Sequence, residues 1–176
     1  IIYRSHHGFM MQRYFINIAS LGASGEIDSL LDRLRTKLGV VISFIYATLK
    51  TAATFRGKTV SIKVGNRRLD NISVLLIAVA NGRFFGGGMM VAPEAKLDDG
   101  LFDVVLVEDM GKFERFLRLP SLYPGTHLDH PHVTFIRAKK VEVYTDENLL
   151  LDVDGEQPGT APASFEVLPG AISIIT

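Results

Sequence analysis

Two turns bear the side chains with which this sequence could do chemistry. The first is Lys96-Leu97-Asp98-Asp99-Gly100-Leu101, an acidic turn leading into the apolar run Phe102-Asp103-Val104-Val105. One turn carboxylate with neighbouring backbone carbonyls offers the hard oxygen donors that Mg2+ or Ca2+ takes. Asp99, with the carbonyls of Lys96 and Leu101, is therefore a candidate metal turn. An Asp-Gly turn that binds nothing has the same composition. The second is Leu151-Asp152-Val153-Asp154-Gly155-Glu156. A sharp turn at Gly155 would bring Asp154 and Glu156 to one spot. A crowded carboxylate has its pKa raised, which suits it to accept a proton from a hydroxyl nucleophile. A plain hairpin would read the same way.

Three other patterns carry less. Gly57-Lys58-Thr59 ends like a phosphate-binding loop, but Ala52 stands where the earlier glycine is required, so a helix exit into a strand is expected. Gly86-Gly87-Gly88 has no helix pattern after it to supply a dipole, and reads as a tight turn. His127, His130 and His132 are interrupted by Pro131 and lack regular ligand spacing, so they read as surface or interface histidines.

The elements that must hold these turns follow from periodicity. Residues 14–19 read as an early buried strand. Ile27, Leu30, Leu31, Leu34 and Leu38 make one helical apolar stripe, with Ser24 as a cap and Gly39 as a stop. A second helix is expected over residues 43–55, ending near Gly57. Residues 59–64 then alternate apolar and polar, and Gly65-Asn66 turns the chain into a strand over 72–80. Further strands are expected at 102–107, 133–144, 149–153, 164–167 and 172–175, with a short helix at 112–119. Many short strands punctuated by Gly, Pro and Asn/Asp predict a mainly β fold, a β-sandwich with a few helices near the amino end. Strand and helix do not alternate, which argues against a doubly wound nucleotide fold.

Composition bounds the rest. The 176 residues fit one domain, and the 47% apolar fraction suffices for a core. With 19 basic and 19 acidic residues the formal net charge is zero, which gives no reason to expect nucleic-acid binding. The charge is uneven: residues 1–70 hold 11 Lys/Arg against 4 Asp/Glu, and residues 71–176 hold 8 against 15. That asymmetry fits an anionic-lipid or phosphate site beside a metal site, or two halves that neutralise each other. Absence of Cys excludes disulfides, zinc–thiolate sites and Cys nucleophiles. No apolar run approaches the roughly 20 residues needed to cross a bilayer. The chain opens on Ile1-Ile2-Tyr3-Arg4, which reads as a cut inside a longer protein rather than a signal peptide.

Asn81-Gly82-Arg83-Phe84-Phe85-Gly86-Gly87-Gly88, then Pro93-x-Ala95-Lys96-x-x-Asp99-Gly100-Leu101-Phe102-Asp103, then Asp154-Gly155-Glu156 occur in one order. With Phe15-Ile16-Asn17-Ile18-Ala19-Ser20-x-Gly22 before them and Phe165 to Ala171 after them, they resemble the diacylglycerol and sphingosine kinase-like lipid kinases over nearly the whole chain. The resemblance implies the carboxy-terminal β-sandwich of a two-domain enzyme, residues 1–176, that phosphorylates a lipid hydroxyl with ATP and Mg2+. By motif, Asp99 with the carbonyls of Lys96 and Leu101 would hold a structural metal. Glu156 would be the proton acceptor, with Asp154 assisting through a metal–water network.

The Gly-Gly-Asp-Gly-Thr nucleotide loop of that family is absent from these residues. The expectation is that ATP is bound mainly by a missing amino-terminal domain and that this polypeptide alone is inactive. The implied partners are a lipid substrate, that missing domain and a membrane surface contacted from the cytoplasmic side; self-association into a homodimer stays open. The substrate is left among diacylglycerol, sphingosine-like amines, ceramide and phosphatidylglycerol. Helices carrying Leu30, Leu31, Leu34 and Leu38 and residues 44–55 could form an acyl groove, with Arg33, Arg35 and Lys37 toward anionic head groups; leucines that only close the core have the same spacing. A non-catalytic lipid-binding or regulatory β-sandwich is the alternative; a carbohydrate- or protein-binding sandwich is a third.

Overall fold

The computed structural model describes residues 1–34 and 39–172. In chain order its elements are β1 (Ile2–Ser5), β2 (Met10–Gln12), β3 (Ile18–Gly22), α1 (Ala23–Leu34), α2 (Val40–Thr54), β4 (Lys58–Val64), β5 (Arg67–Ala80) and β6 (Phe102–Glu108). There follow α3 (Lys112–Arg118), two short 3-10 turns at Leu119–Leu122 and Thr126–Asp129, β7 (Val133–Ala138), β8 (Lys140–Tyr144), β9 (Leu150–Val153) and β10 (Glu156–Glu166).

The mainly β expectation holds, and the sheet closes on itself. β10, β8, β4, β5, β3 and β9 are hydrogen-bonded in succession, and β9 pairs β10 again. The two long strands make the closure. β5 pairs β4 through its first half and β3 through its second. β10 likewise pairs β9 first and β8 later. Each long strand thus passes from one layer of the sandwich to the other. Within its β4 pairing β5 carries a bulge, where Asp70 and Asn71 oppose Ser61 alone and Asn71 sits at φ 55°; such a bulge bends and twists the strand. β6 and β7 extend the sheet beyond β5, and β1 and β2 extend it beyond β10.

Alternation then does what period-2 burial requires. Val60, Ile62 and Val64 of β4, Ile77 and Val79 of β5, Val141 and Val143 of β8, and Ala161, Ala163 and Phe165 of β10 all point into one core. A second, smaller core lies on the other face of β3, β5 and β6, where Val91, Ala92 and Ala95 cover Ala78, Ala80 and Val105.

Several expectations shift. Tyr14 and Ile16 are exposed, and the strand begins only at Ile18, because residues 16–17 spend their backbone groups on Asp154 and on Asn81-Gly82 rather than on a ladder. Ser24 is not a cap: it lies inside α1, buried, with its hydroxyl 2.7 Å from that of Ser20. α2 starts three residues before the predicted Ser43. The expected strand over 133–144 is two strands that serve different neighbours, β6 for β7 and β4 with β10 for β8. β10 starts eight residues before the predicted Ser164. β1 and β2 were not anticipated. Arg35, Lys37, Leu38 and residues 173–175 lie outside the described residues.

Candidate functional site

β9 and β10 are joined by Asp154-Gly155, with Val153 paired to Glu156 across the turn. Both turn residues have positive φ, 52° and 84°. This is the two-residue connection that Asp-Gly favours, since its twist matches that of the flanking strands. The turn is sharp, as expected, yet its two carboxylates take separate partners.

Asp154 accepts hydrogen bonds from the backbone N–H groups of Ile16 (2.9 Å), Asn17 (3.1 Å) and Ile18 (3.0 Å). Glu156 is exposed, and its Oε2 lies 2.5 Å from Arg13 Nη2.

The Asn-Gly segment comes to the same place. Asn81 donates its side-chain amide to Ile16 O, and the N–H groups of Asn81 and Gly82 both reach Asn17 O. Asn17 in turn donates to Phe84 O. A Cβ on Gly82 would stand 2.2 Å from Asn17 Oδ1, which is why only glycine fits there. Three motifs far apart in sequence are therefore tied into one knot at the ends of β3, β5 and β9.

The Asp99 turn belongs to the same end of the sheet, since Ala80 of β5 pairs Asp103 of β6. Phe102 stacks on Phe15 with ring centroids 5.6 Å apart. Asp99 Oδ1 accepts from the Leu101 N–H at 2.9 Å, closing the turn. Behind it, Arg137 Nε donates to buried Asp103 at 2.9 Å, and Arg137 Nη2 reaches Glu94 O at 2.9 Å. Burial pushes the Asp103 carboxyl above its ordinary range; Arg137 opposes the shift, while Asp99 and Glu94 add to it. Asp103 Oδ2 is buried without a hydrogen-bond partner. A turn with oxygen-only donors, beside the one unpartnered oxygen of Asp103, fits a hard cation. Among the described residues no three His, Asp or Glu side chains gather into a metal cluster.

Sequence reasoning missed Asp152. It is buried, accepts from the Gly155 N–H at 2.8 Å and from Ser20 Oγ at 3.0 Å, and interacts with Asp28 of α1. Its carboxyl is pushed up by burial foremost, with the negative charge of Asp154 adding to the effect. The signal was present in Leu151-Asp152-Val153, a polar residue in an apolar strand, but its partners on β3 and α1 were not legible.

Some of these groups line a cavity of about 1000 Å³. Ile18, Ile27, Leu31, Phe44, Leu76 and Phe85 are among its apolar walls, and Asn17, Asp28, Asp152, Asp154 and Gly155 also line it. Gly86 and Gly87, both at positive φ, pack against Phe44: the glycine run is a turn under α2, as expected. Lys58 and Thr59 open β4, so the phosphate-loop mimic is a helix exit. The surface reading fails for two histidines: His127 and His130 are buried, with His127 Nε2 2.9 Å from Val91 O and His130 Nε2 3.1 Å from Glu114 Oε1. Both help shape the cavity wall.

The comparisons with known proteins agree with this architecture. The YegS C-terminal NAD kinase beta sandwich-like domain matches residues 17–176. A diacylglycerol kinase of Staphylococcus epidermidis is 31% identical over 175 residues, covering 96% of this chain and 53% of that protein. One of Bacillus subtilis is 28% identical over 166 residues, covering 93% of this chain and 54% of that protein. A solved diacylglycerol kinase from Bacillus anthracis superposes with a TM-score of 0.62 at 25% identity, over 96% of this chain and 53% of its own. The chain spans about half the length of the relatives it matches. It belongs to the family of YegS C-terminal NAD kinase beta sandwich-like domains.

Proposed function

We propose that this chain is the lipid-holding half of an ATP-dependent lipid kinase of the diacylglycerol kinase type, working with an amino-terminal nucleotide-binding domain. The observation that carries the proposal is the cavity itself: a mainly apolar space of about 1000 Å³ whose lining includes the Asp154-Gly155 turn and buried Asp152. Apolar pockets with a few convergent polar groups at one end suit amphiphiles, and the relatives named as diacylglycerol kinases make a lipid hydroxyl the acceptor of choice.

Acyl chains lie between α1, α2 and the sheet, with the hydroxyl at the Asp154-Gly155 turn. Glu156, exposed beside that turn, takes the hydroxyl proton as the oxygen attacks the terminal phosphorus of ATP; the new O–P bond forms while the bond to the ADP oxygen breaks. Arg13 holds the Glu156 carboxylate in place. Asp154 acts by position, fixing residues 16–18 against the turn. Mg2+ would be held by Asp99 with the carbonyls of Lys96 and Leu101, and it supplies charge neutralisation and local rigidity when bound. The nucleotide itself belongs to the partner domain.

The test uses the full-length parent, ATP and a panel of diacylglycerol, a sphingosine-like amine, ceramide and phosphatidylglycerol. Wild type should phosphorylate one of them, and Glu156→Ala should lower turnover about 10²–10⁴-fold. Turnover that survives the substitution moves the base elsewhere. Transfer to no lipid at all overturns the kinase reading.

A further inference from the structure

Arg13 Nη2 lies 2.5 Å from Glu156 Oε2, and among the described residues no other base pairs with that carboxylate. The guanidinium makes no other hydrogen bond among the described residues, so most of its five donors are unused. The Arg13 backbone is fixed. Its N–H donates to Ile1 O at 2.9 Å, and three residues on, Ile16 begins the run of amides held by Asp154. The side chain is freer: Arg13 is 35% exposed and Glu156 67%. An ion pair that open to water is worth little, so it exchanges easily. No acid precedes Glu26 in the sequence, and the hairpin that carries Arg13 therefore offers the guanidinium no second carboxylate.

We infer that Arg13 changes partner during the reaction: it holds Glu156 before transfer, then turns to the phosphoryl group being transferred. This rests on the lipid-kinase reading with Glu156 as the base. Distance is the first reason. A base stands about 3 Å from the oxygen it deprotonates, and that oxygen bonds the phosphorus as transfer proceeds. A guanidinium 2.5 Å from the base is therefore within a side-chain rotation of the oxygens on that phosphorus. Charge is the second. A phosphoryl group in transfer spreads its negative charge over three oxygens, and the planar fork of arginine takes two of them at once. The exchange also frees the base. Once Arg13 leaves Oε2, that oxygen takes the hydroxyl proton, the new O–P bond forms and the bond to the ADP oxygen breaks. Arg13 neither gains nor loses a proton; it supplies charge where charge gathers.

The test uses the full-length protein, ATP and whichever lipid of the panel it phosphorylates. Arg13→Ala should lower kcat about 10²–10³-fold and leave KM for the lipid unchanged. Arg13→Lys should recover part of the loss, since it keeps the charge without the fork. Free guanidinium ion, far below denaturing concentrations, should restore part of the Arg13→Ala activity and none of that of Glu156→Ala. Arg4→Ala, which removes an exposed base from β1, should match wild type. Binding gives a readout apart from turnover. With lipid present, wild type should bind ADP more tightly when aluminium fluoride, a mimic of the phosphoryl group in transfer, is added. Arg13→Ala should lose that gain and keep its affinity for ADP alone. A wild-type kcat in Arg13→Ala overturns the inference, because the pair is then a surface salt bridge and nothing more. So does a loss confined to KM or to ADP affinity, which would make Arg13 a binding anchor. Wild type that phosphorylates no lipid sinks the kinase reading and this inference with it. Wild-type transfer that Arg13→Ala matches sinks this inference alone.

Discussion

Asp154 and Asp152 sit two residues apart and do opposite things. Asp154 satisfies three N–H groups that have no ladder to join. Asp154→Ala removes that acceptor and should cost about 1–2 kcal/mol, measured by denaturant unfolding. Asp154→Asn should cost less, because asparagine tolerates the positive φ and keeps one acceptor oxygen. Asp152 is the buried one. Its folded pKa lies above the ordinary value, so its stabilising contribution is complete below about pH 4 and is lost as pH rises through the raised folded value. Asp152→Asn should therefore stabilise the protein at pH 7, measured by denaturant unfolding, and the gain should vanish toward acid. A gain independent of pH between those limits would show that Asp152 is not the group that ionises.

At the scale of elements, the site depends on how closely α1 lies on β9. Gly25 permits that approach: a Cβ there would stand 2.7 Å from Leu150 Cβ and 2.8 Å from its carbonyl carbon. Gly25→Ala must push the helix off the strand, at a cost of about 1–3 kcal/mol by thermal or chemical unfolding. The same displacement moves Asp28, Ile27 and Leu31, and so the cavity wall. On the proposed lipid-kinase reading, the variant of the full-length protein should accordingly raise KM for a long-chain lipid more than it lowers turnover. An equal loss in both would place Gly25 outside lipid binding. β5 and β10 matter for a different reason: each bends from one layer to the other, and those bends bring the ends of β3, β5, β6 and β9 together around the turn.

At the scale of the molecule, one closed ring of six strands, with β1, β6 and β7 beside it, surrounds the main core, and α1, α2 and α3 contribute to the cavity wall. Chemistry and scaffold are thus separable. The chain expressed by itself should fold cooperatively, yet should show no lipid phosphorylation above background with ATP and Mg2+, because phosphoryl transfer rests on positioning the nucleotide. Substantial turnover by these residues alone would show that they hold ATP without a partner domain.

Much of this was determined by the sequence itself. Alternation over residues 59–64, the Gly65-Asn66 and Asp154-Gly155 turns and the helical stripe from Ile27 to Leu34 are local signals, set by backbone sterics and by which face must leave water. The order of the motifs carried the family. What only the tertiary structure decided is where distant groups meet. Ile16 and Asp154 are 138 residues apart, and Arg13 and Glu156 are 143 apart. No periodicity encodes that Asp152 meets Ser20 and Asp28, that Asp154 serves three amides, or that residues 14–17 leave the sheet to be held by it. Those pairings arise when two bent strands close the ring, and closure is a property of all six strands together.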